Sequence, residues 1–235
     1  MIKVQVLASG SKGNCTVLTA NDATILLDLG INFSNLQRRL NFENPTAVFL
    51  THEHSDHVNK STLAELLKRG VEVYMTEGTA QALKLEPRHN LHCVTATAIF
   101  HINRQIKVDL APVLHDAAEP INLEIWFGQR QGVVYITDSK NVPLAIDMPA
   151  PMITIIEANY ATETLLAADI DEHQKQRILH NHLSIEKVAE YFKTADKVFL
   201  QEVHLIHISK RHGNAEKFRQ IIQEIVGDNV KVFAY

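Results

Sequence analysis

Short runs of hydrophobic residues, separated by polar turns, follow one another along the whole chain. Runs rich in β-branched residues predict strands, and apolar residues spaced three to four apart predict helices. The predicted strands are Val4–Leu7, Cys15–Leu18, Ala23–Leu27, Thr46–Thr51, Val71–Met75, Thr95–His101, Ile106–Leu114, Ile121–Phe127, Val133–Thr137, Ile153–Ile156 and Lys197–Leu200. The predicted helices are Phe33–Leu40, Ser61–Arg69, Thr162–Ala168, Ile185–Phe192 and Asn214–Ile225. This mixture predicts one compact α/β domain over residues 1–235.

Composition narrows the class of protein. No apolar run approaches the ~18–20 residues that span a bilayer. The N-terminal stretch Met1–Leu7 is too short and too polar for a signal peptide. The two cysteines, Cys15 and Cys93, imply no disulfide framework, so a cytoplasmic location is expected. The net charge of -4 does not indicate a nucleic-acid binder, although it says little about a local basic surface. Histidine, at 13 residues, is unusually frequent, which indicates a use for imidazole.

A dense group of metal-ligand side chains follows the apolar run Ala47–Leu50. His52, His54, Asp56 and His57 lie in the segment T-H-E-H-S-D-H. In an extended stretch, alternate residues point the same way, so positions 52, 54 and 56 converge and a turn brings His57 beside Asp56. Imidazole and carboxylate suit Zn²⁺, Mn²⁺ or iron, and the adjacent ligands favour two ions. The competing interpretation is a solvated histidine-rich loop.

This segment resembles the H-x-H-x-D-H signature of the metallo-β-lactamase superfamily. The resemblance implies a four-layer αββα sandwich of two mixed sheets flanked by helices. It also implies further site residues in a fixed order. His115 would complete the first metal site, Asp138 would bridge both metals, His207 would bind the second metal, and His182 would be catalytic or contact phosphate. The reverse assignment of His182 and His207 remains open.

Taken singly, these later residues have ordinary alternatives. Asp138 suits a helix N-cap, and His204 lies close enough to His207 to compete with it. The remaining histidines considered are expected at the surface or in the core: His89, His92, His101, His173, His180 and His212.

Other residues are expected to support the metals or bind phosphate. Asp28 ends an apolar run, and a buried carboxylate there would be satisfied by orienting a metal-bound histidine; a turn-forming aspartate is the alternative. In the turn before Cys15, Ser9, Ser11 and Asn14 with two glycines would let backbone N–H groups approach an anion, unless this is a plain hairpin turn. Glu157 and Asn159 are assigned to the same supporting set.

The S-G-S-x-G-N-C start, the T-H-E-H-S-D-H segment, the stretch His115–Pro120 and H-L-S at His182 together resemble the YycJ-like (WalJ-like) branch of the superfamily. No large insertion separates them, so the clamp domain of RNA-processing relatives is not expected. There are departures from the branch pattern. In place of T-D-T-G this chain has T-D-S-K at Thr137–Lys140, and in place of E-S-N-H-D it has E-A-N-Y-A at Glu157–Ala161. Asn181 replaces the glycine of G-H-L-S, and the late asparagine-rich stretch is reduced.

The resemblance implies a DNA exonuclease with two metals. One ion would be held by His52, His54 and His115, and the other by Asp56, His57 and His207, with Asp138 binding both. The residues expected to take part in catalysis are Asp56 and His182. A hydroxide bridging the metals would attack the phosphodiester. The expected partner is nucleic acid and not a membrane, and a homodimer is allowed. The alternatives are a small-molecule phosphodiester, thioester or lactone hydrolase, a di-iron redox enzyme and a non-catalytic binding module. C-terminal lysines and arginines favour a polyanion but equally suit a solvated helix face.

Overall fold

The computed structural model describes residues 1–20, 22–40, 43–128, 131–142 and 152–235. The chain divides into two compact units. The N-terminal unit comprises Met1–Ala98 and Ala117–Ile121, and the C-terminal unit comprises Ile99–Asp116 and Asn122–Tyr235. The single domain predicted for the whole chain stays a prediction, and each unit is described by itself.

The N-terminal unit is built on a six-stranded mixed sheet in which the strands follow chain order. Its strands are β1 (Lys3–Ala8), β2 (Cys15–Ala20), β3 (Ala23–Leu27), β4 (Ala47–Phe49), β5 (Glu72–Thr76) and β6 (Leu91–Val94). Its helices are α1 (Phe33–Arg39), α2 (Lys60–Lys68) and α3 (Glu77–Leu83). The pairs β1/β2 and β2/β3 are antiparallel, whereas β3 to β6 run parallel. The carboxyl ends of β3 and β4 therefore lie side by side, and they carry the residues considered below.

Local signals fix the helices of this unit. Asn59 caps α2 by accepting a hydrogen bond from the Thr62 backbone N–H, and Gly70 follows the helix with φ of 77°. The apolar face of α2, with Leu63 and Leu66, is buried in one hydrophobic cluster with Val48 of the sheet. This cluster forms the core of the N-terminal unit.

The C-terminal unit contains a seven-stranded mixed sheet in the order β13-β12-β11-β10-β9-β8-β7. Its strands are β7 (Ile99–Asn103), β8 (Ile106–Pro112), β9 (Ile121–Phe127), β10 (Gln131–Ile136), β11 (Ile153–Glu157), β12 (Glu202–Ile206) and β13 (Lys231–Ala234). Its helices are α4 (Thr162–Leu166), α5 (Glu172–Asn181), α6 (Ile185–Thr194) and α7 (Ala215–Val226). Strands β10 to β13 run parallel, and α6 and α7 bury Val188, Phe192, Phe218 and Ile222 in the core of this unit.

The predicted α/β class with two mixed sheets and flanking helices is confirmed. The strand predicted at Lys197–Leu200 is wrong: this stretch is a turn with Val198 and Phe199 76% and 61% exposed, and the strand is β12. The strand predicted at Thr95–His101 is wrong in its first half, because the Ala98 N–H bonds to the Thr95 carbonyl in a turn and β7 begins at Ile99.

Four further elements escaped the sequence pattern: β6, α3, α5 and β13. Helix α3 has only seven residues, and β13 only four. Helix α5 buries Asn181 alone, so it offers no apolar periodicity. Among the helices of the described residues, none is long and apolar enough to cross a bilayer.

Candidate metal centre

The segment His52–His57 leaves the carboxyl end of β4 and turns into α2. The His52 ring centroid lies 4.7 Å from that of His54 and 4.2 Å from that of His57. The backbone N–H of His57 donates to the His54 carbonyl, and this turn places His57 Nε2 3.5 Å from Asp56 Oδ2. The structure therefore brings the imidazole rings of His52, His54 and His57 together, and the Asp56 carboxylate lies beside the His57 ring.

A buried carboxylate, Asp28, orients two of these rings. It follows β3 and accepts hydrogen bonds from His57 Nδ1 (2.8 Å), the Thr51 backbone N–H (2.9 Å) and Thr51 Oγ1 (2.9 Å). Because the Thr51 hydroxyl donates to Asp28, its oxygen can accept from His52 Nδ1, 3.0 Å away. Asp28 holds His57 directly and His52 through Thr51, so Nε2 is the ring atom that each histidine can offer to a metal.

The turn before Cys15 reaches the same segment through Asn14. Asn14 Nδ2 lies 3.0 Å from His57 Nε2 and 3.2 Å from Asp56 Oδ2, while Asn14 Oδ1 accepts from the Gly10 N–H. Gly30 permits this approach, because a Cβ there would lie 1.8 Å from the Asp56 carbonyl oxygen. Ser9 is half-buried and Ser11 is exposed in the same turn.

In the C-terminal unit, three neighbouring parallel strands end at candidate residues. Strand β10 leads into Asp138, β11 ends at Glu157 and β12 leads into His207. With His182, these side chains each offer a ligand atom, and the four atoms lie within 4.8 Å of one another. We call Asp138, Glu157, His182 and His207 the Glu157 group. Open α/β sheets commonly place their sites at this edge, outside the carboxyl ends of the strands.

Glu157 is fully buried and is the shared acceptor of its group. Its Oε1 accepts from His182 Nδ1 (2.7 Å) and His207 Nδ1 (2.9 Å), and its Oε2 accepts from the backbone N–H groups of Leu183 (3.1 Å) and Ser139 (3.3 Å). Burial favours the neutral form of Glu157, but the two imidazoles outweigh it and hold the pKa of this carboxyl below its ordinary value. Sequence reasoning listed Glu157 as a supporting residue and missed that it joins both late histidines.

The charge of Glu157 also acts on His182. Burial disfavours the protonated ring, yet the carboxylate outweighs burial and raises the pKa of His182 above its ordinary value. The His182 side chain keeps 21% of its surface exposed, whereas that of His207 keeps 4%. Asn159 Nδ2 donates to the His207 carbonyl and lies 3.2 Å from His207 Nδ1.

His115, beyond β8, is held in the same way as the earlier histidines. Its Nδ1 donates to the Asn181 carbonyl at 3.1 Å, and its Nε2 lies 3.7 Å from Asp138 Oδ2 and 3.5 Å from Asp116 Oδ1. The partner is a backbone carbonyl of α5, so no side-chain motif could have indicated it.

Backbone strain marks three of the residues. Asp28, Asp138 and His207 have φ of 60°, 29° and 53°, values that residues with a Cβ rarely adopt. Each such conformation costs about 1–3 kcal/mol and persists only where its surroundings impose it. Strain of this kind clusters at functional sites, which agrees with the position of these three residues.

The donor sets fit divalent metal ions. They consist of imidazole nitrogens and carboxylate oxygens, and the Nδ1 atoms of His52, His57 and His115 already have protein partners. Within each unit, the 3.5 Å gap from His57 to Asp56 and the 3.7 Å gap from His115 to Asp138 are longer than ordinary hydrogen bonds. Two metal–ligand bonds of about 2.1 Å at a tetrahedral angle would separate their ligand atoms by roughly 3.4 Å.

The remaining expectations are placed as follows. His204 is buried on β12, where it stacks on Phe233 and hydrogen-bonds Tyr235, and it is not one of the Glu157 group. Ala158 and Tyr160, two departures from the branch pattern, are both buried, and Ala158 belongs to the hydrophobic core. Both His182 and His207 belong to the group, so either order of their roles is compatible with it.

Comparison with known proteins decides the family. A family model described as a β-lactamase superfamily domain matches residues 23–208. The chain belongs to the β-lactamase superfamily. The exodeoxyribonuclease WalJ of Streptococcus pneumoniae serotype 2 (strain D39 / NCTC 7466) is 29% identical over 232 residues, covering 91% of this chain and 84% of that protein. The exodeoxyribonuclease YycJ of Bacillus anthracis is 26% identical over 237 residues, covering 94% and 88%.

A solved structure supports the fold of this β-lactamase superfamily protein. The metallo-β-lactamase fold protein YhfI from Bacillus subtilis aligns with a TM-score of 0.72 at 16% identity, over 100% of this chain and 95% of that chain. The metallo-β-lactamase fold and the YycJ-like branch predicted from the motifs are confirmed. The protein is thus a metallo-β-lactamase fold hydrolase, and this fold implies divalent metal ions.

Proposed function

We propose that this protein is a binuclear metal-dependent phosphodiesterase that acts as an exonuclease on DNA. The observation that carries the proposal is the Glu157 group, in which one buried carboxylate fixes His182 and His207 beside Asp138. Similarity over nine-tenths of the chain to two proteins named exodeoxyribonucleases supports DNA as the substrate.

The proposed ligands follow the order of the family. One ion would be held by His52, His54 and His115. The other would be held by Asp56, His57 and His207, and Asp138 would be available to both. Zn²⁺ and Mn²⁺ suit these donors best, and iron is a further option. When bound, such ions lower the pKa of a coordinated water and neutralise charge that develops on phosphoryl oxygens.

The chain's own residues supply proton transfer and orientation. His182 donates Nδ1–H to Glu157, so its Nε2 is the atom that can give a proton to the leaving oxygen or contact a phosphate. The raised pKa of His182 favours the protonated ring that this step requires. A positioned acid of this kind typically contributes about 10²–10⁴-fold in rate.

The first test measures metal content and cleavage on the same sample. Purified protein is analysed for bound metals and then assayed with added Zn²⁺ or Mn²⁺ against end-labelled DNA, end-labelled RNA and bis-p-nitrophenyl phosphate. We expect about two metals per chain and release of nucleotides from DNA ends. Asp56→Ala should abolish both, whereas Asp228→Ala, at an exposed turn, should not. An active Asp56→Ala protein would contradict the scheme, and cleavage of the small diester alone would favour a small-molecule phosphodiesterase.

A second test separates the two late histidines. His182→Ala should keep its metals and lose about 10²–10⁴-fold in turnover, whereas His207→Ala should lose metal. The opposite pattern would mean that their roles are exchanged.

A cytoplasmic location belongs to the same proposal, and the two free cysteines agree with it.

A further inference from the structure

The side chain of Asn122 is a buried amide that the proposed function does not use. Asn122 is the second residue of β9, a strand that is buried at all but one position, and it is itself 2% exposed. Strand β9 runs antiparallel to β10, with Leu123 paired to Tyr135. Asn122 therefore lies at the end of the sheet where β10 leads into Asp138.

The oxygen and the nitrogen of the Asn122 amide differ in their partners. Oδ1 accepts a hydrogen bond from the Thr137 backbone N–H at 3.2 Å. Nδ2 is buried, and among the described residues it has no hydrogen-bond partner. A buried donor without an acceptor is costly, and an apolar side chain of the same shape would avoid that cost. What this side chain contributes is its oxygen, which gives Thr137 an acceptor just beyond the last paired residues of β9 and β10.

Thr137 transmits this constraint to Asp138. Thr137 Oγ1 donates to Asp138 Oδ1 at 3.0 Å, and Asp138 has φ of 29°, a conformation that persists only where its surroundings impose it. On the other side of Asp138, the Ser139 N–H donates to Glu157 Oε2. Asn122 and Glu157 therefore hold the backbone immediately before and immediately after the strained residue.

We infer that Asn122 is a positioning residue for the Asp138 carboxylate and that it acts through Thr137. The inference rests on the proposed function, in which Asp138 is available to both metal ions, and it assigns a role to a residue outside the proposed ligands. The N-terminal unit orients His52 in the same manner, through the Thr51 hydroxyl. Groups that orient a metal ligand typically contribute about 10–100-fold in metal affinity or activity.

Two substitutions of nearly the same shape as asparagine test the oxygen separately from the rest of the side chain. Asn122→Leu fills the same space and removes the acceptor, whereas Asn122→Asp keeps an acceptor for the Thr137 N–H. The matched control is Thr154→Val on β11, which removes another buried side-chain atom that has no partner among the residues that the structure describes. Urea denaturation of the metal-free proteins establishes that each variant is folded, and Asn122→Ala replaces the leucine variant if that one is not.

Calorimetric titration of the metal-free proteins with Zn²⁺ gives the decisive readout. Asn122→Leu should weaken Zn²⁺ binding about 10–100-fold. Asn122→Asp should recover most of that loss, and Thr154→Val should bind Zn²⁺ as the wild-type protein does. The visible absorption of the Co²⁺-loaded proteins reports ligand geometry, so it should change in Asn122→Leu and stay unchanged in Thr154→Val.

The outcomes separate this inference from the proposed function. Wild-type affinity for Zn²⁺ in Asn122→Leu overturns the role of Asn122 alone. A loss that Asn122→Asp does not recover, or that Thr154→Val shares, would also overturn it, since the oxygen would then not be the group that acts. If the wild-type protein binds metal but cleaves no DNA, the proposed function fails and the same titrations still test Asn122. A wild-type protein that binds no metal overturns both.

Discussion

The two units each contain a fully buried carboxylate that holds imidazole rings, but the rings come from different kinds of sequence. Asp28 holds the His57 ring directly and the His52 ring through the Thr51 hydroxyl. The three residues that it holds, Thr51, His52 and His57, lie in one continuous segment. Glu157 holds His182 and His207, which are separated by α6 and β12. The first arrangement lies in one segment once Asp28 is placed. The second joins the ends of two neighbouring parallel strands, β11 and β12, to the C-terminal end of α5. The second should therefore depend more heavily on its carboxylate.

The largest expected effect tests that dependence. Glu157→Gln keeps the shape of the side chain but removes the charge that two histidines share, so turnover should fall about 10³-fold. Asp28→Asn should cost only about 10–100-fold in turnover, because it loosens the proposed metal ligands His52 and His57 without touching the proposed acid. The kinetics of both variants on DNA would check this. Equal losses would contradict the asymmetry between the two carboxylates.

The stability of the protein tests the hydrogen bonds of Asp28 separately from turnover. Asp28→Ala leaves the Thr51 N–H, the Thr51 hydroxyl and His57 Nδ1 without their buried acceptor, which should cost about 3–5 kcal/mol of unfolding free energy. Asp28→Asn keeps one acceptor oxygen and should cost about 1–3 kcal/mol. Urea denaturation of the metal-free protein measures both. A loss below about 1 kcal/mol for the alanine variant would show that this network does not stabilise the N-terminal unit.

The pH dependence of turnover sharpens the account of Glu157. The carboxylate raises the pKa of His182, so the protonated ring persists to higher pH than an ordinary histidine. Turnover should fall as pH rises through this pKa, and Glu157→Gln should move that limb of the profile to lower pH. Glu190→Gln, on the exposed face of α6, should leave it in place. An unmoved limb in Glu157→Gln would mean that another group controls it.

The smallest effect concerns the turn before Cys15. Asn14→Ala removes a side chain that bridges Gly10 and the His57 ring, and should cost about 1 kcal/mol together with some metal affinity. Ser11→Ala, at an exposed position in the same turn, should change neither. Thermal unfolding and metal titration would check the pair. A larger effect at Ser11 would favour its predicted role in phosphate binding.

Much of the fold follows from local patterns, and the failures have physical causes. The apolar run of β4 and the periodic face of α2 were predictable, because burial imposes a pattern on each. Helix α5 has no such face, and β13 is a short strand at the edge of its sheet, so neither has a distinct signature. The apolar residues Val198 and Phe199 led to the wrong prediction of a strand at Lys197–Leu200. Both are exposed, and hydrophobicity alone does not require burial.

The sequence by itself determined the side-chain types of the candidate metal site, because six residues from His52 to His57 already combine imidazole and carboxylate at a spacing that folds back on itself. It also determined the family, through motifs that keep their order along the chain. Only the tertiary structure decided that Glu157 joins His182 to His207 and that an Asn181 carbonyl orients His115. These partners are 25, 50 and 66 residues apart. Glu157 meets His207 where the parallel strands β11 and β12 end together, and the other two contacts involve the C-terminal end of α5. No local pattern encodes such meetings between residues far apart in sequence.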